Sequence, residues 1–286
     1  MSPILVLLSL AAASCFAIGL VLTQAGLRSA SPLVGATISV PMSALVFALL
    51  SPWLIDFSGW TAMAVLLFVA AGPFFPASVT LLTFAANRRI GPNLTGALGN
   101  LSPLFAVSFA VLLLGEAPTW LQLAGVVTIC LGAALMLSRR NTALQAIPLW
   151  ALALPLAAAF IRGVVQPVVK LGLEDWPAPF AAVTIGYLVS ALVILGFARL
   201  RPAAPPPKTV SAYGWFVPVG LANGAAVLLL YMALARGPVT VVAPLVACYP
   251  ALTLLLSRLT TGDQRMSAPA VWGILMTVIG VALLLI

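Results

Sequence analysis

The sequence predicts an all-α integral membrane protein, with ten transmembrane helices arranged as two inverted five-helix repeats around a central cavity. Three observations carry this expectation. Hydrophobic residues make up 63% of the 286 and charged residues only 6%, more apolar surface than a soluble domain can bury. The charged residues leave between them ten apolar stretches of about 20 residues or more, the length that crosses a bilayer as a helix. Finally, the second half of the chain repeats the landmarks of the first, in order.

The ten spans read as 3–27, 32–54, 59–87, 91–115, 118–138, 147–172, 178–198, 212–235, 237–260 and 267–286. The longest connection, RLRPAAPPPKTVS over 199–211, leaves no room for an attached soluble domain. The N-terminal run MSPILVLLSLAAASCFAIG is expected to be the first span in preference to a cleaved leader. No Lys or Arg precedes it, and it continues unbroken to Leu27. Cys15, Cys130 and Cys248 all fall inside spans as small apolar residues, and their spacing suggests neither a disulfide framework nor a metal site. The formal net charge of +8 is scattered at helix ends, which is a membrane-topology pattern and not a phosphate-tracking patch, so no nucleic-acid partner is expected.

The repeat is visible when the stretch beginning at Arg88 is laid over the one beginning at Ala235. Gly-Pro opens a span in each, a proline follows within it (Pro103 and Pro250), and a glycine with a carboxylate closes it (Gly115-Glu116 and Gly262-Asp263). The next span then carries a glycine pair seven apart: Gly125 with Gly132, and Gly273 with Gly280. The chain therefore divides into residues 1–140 (helices one to five) and 147–286 (helices six to ten).

Five helices per half place the second copy upside down, and the cations test this separately. Arg28, Arg88, Arg89, Arg139 and Arg140 follow spans one, three and five, while Arg199, Arg201, Lys208, Arg258 and Arg265 follow spans seven and nine. All ten then lie on one side, with Arg236 alone on the other, as inverted repeats require. By the positive-inside rule that side is cytoplasmic and both termini are outside.

The blocks GALGNLSPLFAVSFAVLLLGEAPTWLQLAGVVTICLGAALML and YMALARGPVTVVAPLVACYPALTLLLSRLTTGDQRMSAPAVWGILMTVIGVALLL resemble the EamA-type repeats of the drug/metabolite transporter superfamily. The resemblance covers nearly the whole chain as two copies, with Asp263 in place of the usual second glutamate. It implies ten helices around a central cavity and export of small metabolites, amino acids or drugs. It also implies both termini in the cytoplasm, the opposite of the charge rule. The four-helix small multidrug-resistance relatives look like proteins that use a glutamate embedded in their first helix, and span one here offers only Ser9, Ser14, Cys15, Thr23 and Gln24.

Polar residues in mid-span mark the candidate site, because an unpartnered polar group facing lipid is costly. Asn100, Asn223 and Tyr249 lie near mid-membrane, and one face of span six carries Arg162, Gln166 and Lys170 at i, i+4, i+8. All six are candidate substrate-binding residues, Lys170 also being able to pair with Glu174. Arg162 lies too deep to snorkel, and no mid-span carboxylate neutralises it. Its partner is expected to be a backbone carbonyl, a neutral side chain, water, or something the protein carries; if its face looks into a wet cavity, a substrate carboxylate or phosphate fills that place. Pro103, Pro250 and Pro167 are candidate kinks or gates. Glu116 and Asp263 are candidate caps for the next helix start, and the four glycines a close-packing strip. Spans one, three and four should meet spans six, eight and nine around the cavity, leaving the glycine-bearing spans five and ten outside it.

The chain has no histidine and no Ser-His, Asp-Asp or metal constellation within a span, so it is not expected to be an enzyme, and neither cofactor nor metal is expected. Two functional classes remain. One is a secondary transporter, most simply an exporter of small amphipathic metabolites such as amino acids, with drugs or nucleotide sugars as further substrates. The other is a non-transporting lipid-handling or regulatory subunit. The expected setting is the bacterial inner membrane, as monomer or homodimer.

Overall fold

The computed structural model describes residues 2–137, 148–200, 210–261 and 268–285. All regular structure among them is helical. The first half contains α1 (Pro3–Gly26), α2 (Pro32–Leu54), α3 (Ala62–Ala71), a π-helical turn (Pro73–Ser78), α4 (Val79–Gly99), α5 (Ser102–Leu114) and α6 (Trp120–Leu137). The second contains α7 (Leu149–Asp175), α8 (Pro179–Leu200), α9 (Val210–Leu234), α10 (Val239–Val246), α11 (Tyr249–Thr261) and α12 (Ala268–Leu285). Among the described residues, eight segments are long and apolar enough to cross a membrane, and two shorter apolar helices, Trp120–Gly132 and Val271–Leu284, stand where spans five and ten were expected. Large side chains such as Leu7, Leu112 and Leu192 point outward at 66%, 75% and 72% exposure. In a bilayer that surface faces lipid.

Local chemistry sets the helix ends. Ser31 accepts a hydrogen bond from Val34 N–H at 3.3 Å and Pro32 follows in the first turn of α2, a start that uses proline where its missing N–H is not needed. Thr61 caps α3 in the same way, from Ala64 N–H at 3.1 Å. Gly115 ends α5 at φ +65°, and Gly91 turns the chain at φ +76° between the third and fourth spans; both are left-handed positions that favour glycine.

Three expected continuous helices are interrupted instead. The third span breaks at Phe75, whose backbone is extended at φ −139°, ψ 122°. Pro73 and Pro76 cannot donate to the helix there, so side chains take the freed carbonyls. Ser190 Oγ donates to Gly72 O at 2.6 Å and Ser78 Oγ to Pro73 O at 2.8 Å. The fourth span divides between α4 and α5, and the ninth between α10 and α11. Pro103 and Pro250 were expected within continuous helices, yet each lies in the first turn of the second piece. Pro167 was expected to open span six, but α7 runs unbroken through it from Leu149 to Asp175.

Helix pairing follows a pattern that survives exchange of the two halves. α1 packs on α9, and α3 and α4 pack on α7; α2 packs on α8, and α6 on α12. Exchange turns the first pair into the second and maps the last two onto themselves. Ser43 and Ser190 open the same tetrapeptide, Ser-Ala-Leu-Val, in each half. Ser43 Oγ donates to Gly220 O at 2.7 Å, matching the Ser190–Gly72 bond across the same exchange.

The four motif glycines lie at the α6–α12 crossing. A Cβ on Gly125 would stand 2.7 Å from Gly280 O, and one on Gly132 would stand 2.7 Å from Gly273 O. The first glycine of one helix thus faces the second glycine of the other, so the two helices cross antiparallel with backbones in contact.

Candidate functional site

A small cavity of about 60 Å³ lies between the halves. Its wall takes residues from spans one, three, four, six, eight and nine, as expected, and Tyr187 of α8 adds a seventh. No residue of α6 or α12 reaches it.

Among the described residues, Arg162 of α7 supplies the only formal charge on this wall. Its guanidinium carbon stands 5.4 Å from the ring centre of Phe16, 5.9 Å from Tyr249 and 6.0 Å from Phe75. Three elements create this cage: α1 brings Phe16, the extended break in the third span brings Phe75, and the first turn of α11 brings Tyr249. Ring faces attract a cation by about 0.5–2 kcal/mol each, but they accept no full hydrogen bond. Arg162 Nε accordingly has no hydrogen-bond partner. Tyr249 is held in place by its own hydroxyl, which donates to Gly96 O at 3.2 Å. Gly99 makes room for it, since a Cβ there would come within 2.5 Å of that hydroxyl.

Of the six expected substrate-binding residues, Arg162, Asn223 and Tyr249 line the cavity, whereas Asn100, Gln166 and Lys170 do not. Asn100 sits at the break between α4 and α5 and is 1% exposed. Its Nδ2 donates to Ile129 O and its carbonyl accepts from Cys130 Sγ, both at 3.5 Å. It ties the break to α6, on the side away from the cavity. Gln166, 4% exposed, is buried off the cavity with Oε1 unpartnered. The i, i+4, i+8 spacing does not carry all three polar side chains to the cavity, because that stripe runs along the axis of α7 and the cavity meets only its Arg162 level.

Lys170 serves a different place. Its Nζ donates to Leu234 O at 3.0 Å, at the end of α9, and pairs with Glu174 at 3.5 Å. Glu116 meets the same connection from the other direction. Its two oxygens accept from Val239 N–H and Thr240 N–H, each at 2.8 Å. The helix it caps is α10, not the next helix in the chain. Opposite charges thus grip both ends of the α9–α10 turn, in keeping with the sign of each helix terminus. Asp263, its counterpart in the repeat, lies outside the described residues. Glu116→Ala leaves two half-buried N–H groups without a partner, a loss of about 1–3 kcal/mol. We expect a lower thermal unfolding temperature in detergent for Glu116→Ala, with Glu116→Gln recovering about half of the shift.

Two further lining residues were not singled out from the sequence. Thr95 of α4 and Tyr187 are 2% and 1% exposed; the Thr95 hydroxyl has no hydrogen-bond partner, and the Tyr187 hydroxyl has only Ser43 beside it. Thr and Tyr are common in membrane helices, and only the packing of distant spans places these two at one cavity. Phe75 was equally hidden, its position being set by the break at its flanking prolines.

The model of the EamA-like transporter family matches this chain twice, over residues 3–138 and 149–286. No curated protein matches it. Among solved structures, a crystal structure described only as that of a protein is similar, with a TM-score of 0.76 and 19% identity over 98% of this chain and 94% of its own. At that identity the likeness concerns the fold alone.

Proposed function

Since the chain belongs to the EamA-like transporter family, an integral membrane family of the drug/metabolite transporter superfamily, we propose that it is a secondary transporter exporting small amphipathic metabolites with a carboxylate head, the class that includes amino acids. Its ten spans work as two inverted five-helix halves in alternating access, in the bacterial inner membrane. The exchange-symmetric helix pairing and the antiparallel glycine crossing support the inverted arrangement. The observation that carries the substrate reading is Arg162: a cation on the wall of a cavity between the halves, caged by three rings and with no carboxylate among the described residues of the same wall. Bidentate pairing with a solute carboxylate supplies the missing anion.

The cavity holds about two water molecules at roughly 30 Å³ each, which is smaller than an amino acid. This favours a contracted conformation of a transporter, and it is also the observation on which a non-transporting lipid-handling or regulatory role would rest. Counterflow into proteoliposomes, with amino acids, other carboxylates, drugs and nucleotide sugars as a panel, separates the two. We expect saturable exchange confined to carboxylate-bearing solutes. No exchange of any solute by correctly folded protein would leave the non-transporting role.

A further inference from the structure

Resting on the carboxylate reading above, we propose that the cavity selects by net charge: it takes monoanions whose second polar group is an uncharged hydroxyl or oxo group, ahead of zwitterions of the same skeleton, and Thr95 and Tyr187 read that second group.

The argument starts from charge balance. Four of the chain's five carboxylates, Asp56, Glu116, Glu174 and Asp175, lie among the described residues, and none of these four lines the cavity that Arg162 faces. Counted over the described residues, the cavity therefore carries one positive charge, in surroundings that are otherwise uncharged. A monoanion brings the occupied cavity to neutrality. A zwitterion leaves it at +1, with an ammonium and the guanidinium sharing one small space and no counter-charge for either. Reduced hydration makes that difference larger inside the membrane than in water.

The second step concerns hydrogen bonding. Thr95 and Tyr187 are nearly fully buried residues on the same wall as Arg162; Thr95 Oγ1 has no partner in the protein, and the Tyr187 hydroxyl has only the Ser43 hydroxyl beside it, outside good hydrogen-bond geometry. Buried polar atoms without partners are rare because each is costly. An unpartnered Thr95 hydroxyl and an unpartnered guanidinium nitrogen on one wall, with the weakly held Tyr187 hydroxyl on it too, suit an occupant with two polar ends. A hydroxyl both donates and accepts, so the pair suits a carbonyl or a hydroxyl equally. Thr95 belongs to the first half of the chain and Tyr187 to the second. Such an occupant also bridges the halves.

The test uses the full chain in proteoliposomes and matched sets on three skeletons, those of alanine, leucine and phenylalanine. Each set contains the amino acid, its 2-oxo and 2-hydroxy analogues, the acid with no second polar group, and the amine with no carboxylate. We expect the oxo and hydroxy acids of at least one skeleton to exchange ten-fold or more faster than the amino acid, and the amines not at all. Thr95→Val and Tyr187→Phe, each isosteric, should remove the preference, so that the oxo and hydroxy acids exchange at the rate of the unsubstituted acid in the same variant. Amino acids exchanging as fast as their oxo analogues would overturn the charge rule and leave the carboxylate reading standing. Unaltered preference in both variants would remove Thr95 and Tyr187 from the site. No exchange of any carboxylate by folded protein would overturn the parent reading, and the charge rule with it.

Discussion

Arg162→Ala should abolish binding and exchange of carboxylate substrates while leaving the protein inserted and folded. Removing one member of a buried, hydrogen-bonded charge pair costs about 2–5 kcal/mol, a loss in affinity of roughly 30-fold or more. Folding should be spared because two opposing effects nearly cancel. The three ring contacts stabilise the guanidinium by roughly 0.5–2 kcal/mol each, while burying an arginine at membrane depth carries a penalty of about 2.5–3.5 kcal/mol. Arg162→Lys keeps the charge and loses the planar fork, so it should recover binding only in part. Binding measured by calorimetry, alongside the elution profile in detergent, checks both sides. Equal loss of folded protein in the two variants, with normal exchange by what survives, would make Arg162 a structural brace.

The second large effect belongs to the α6–α12 crossing. Gly132→Leu must place a Cβ 2.7 Å from Gly273 O and 3.0 Å from Thr277 Oγ1. A backbone carbonyl cannot step aside as a flexible side chain can, so the helices must separate. Overpacking of this kind costs about 1–3 kcal/mol. In a bilayer no hydrophobic gain offsets it, because lipid is as apolar as leucine. The unfolding temperature in detergent should fall by roughly 5 °C, taking about 2–4 °C per kcal/mol. Gly125→Leu should behave alike against Gly280 O. Gly196→Leu, where a Cβ would meet nothing within 4 Å, should change it little; an equal fall there would mean that leucine in any helix, and not the crossing, is at fault.

The architecture was largely legible because membrane insertion leaves coarse marks: runs of apolar residues, prolines and glycines at fixed offsets, cations at span ends. The site was legible only where one residue broke the rules of its surroundings. Arg162 stands out in any apolar span, and Asn223 and Tyr249 were found by the same reasoning. Lys170 and Asn100 break those rules too, yet serve the α9 terminus and the break in span four. Polarity at depth announces that a partner exists without saying which. Thr95 and Phe75 carry no such mark, and Tyr187, in the middle of span seven, carries the mark of Tyr249 but was not weighed. The breaks in spans four and nine were missed because Pro103 and Pro250 were read as kinks or gates within one helix, whereas the missing N–H favours the start of a new helical piece; Pro73 and Pro76 of span three were not weighed.

The cross-half contacts have a consequence for the order of events during synthesis. The first half leaves the ribosome with Gly72 O, the glycine face of α6 and the Glu116 carboxylate all waiting for partners that lie in α8, α12 and α10. At ~5–20 residues per second, residues 148–286 take roughly 7–30 s to follow. For that interval the newborn half must stay in the bilayer without its final packing, until α12 arrives to cover the glycine face of α6.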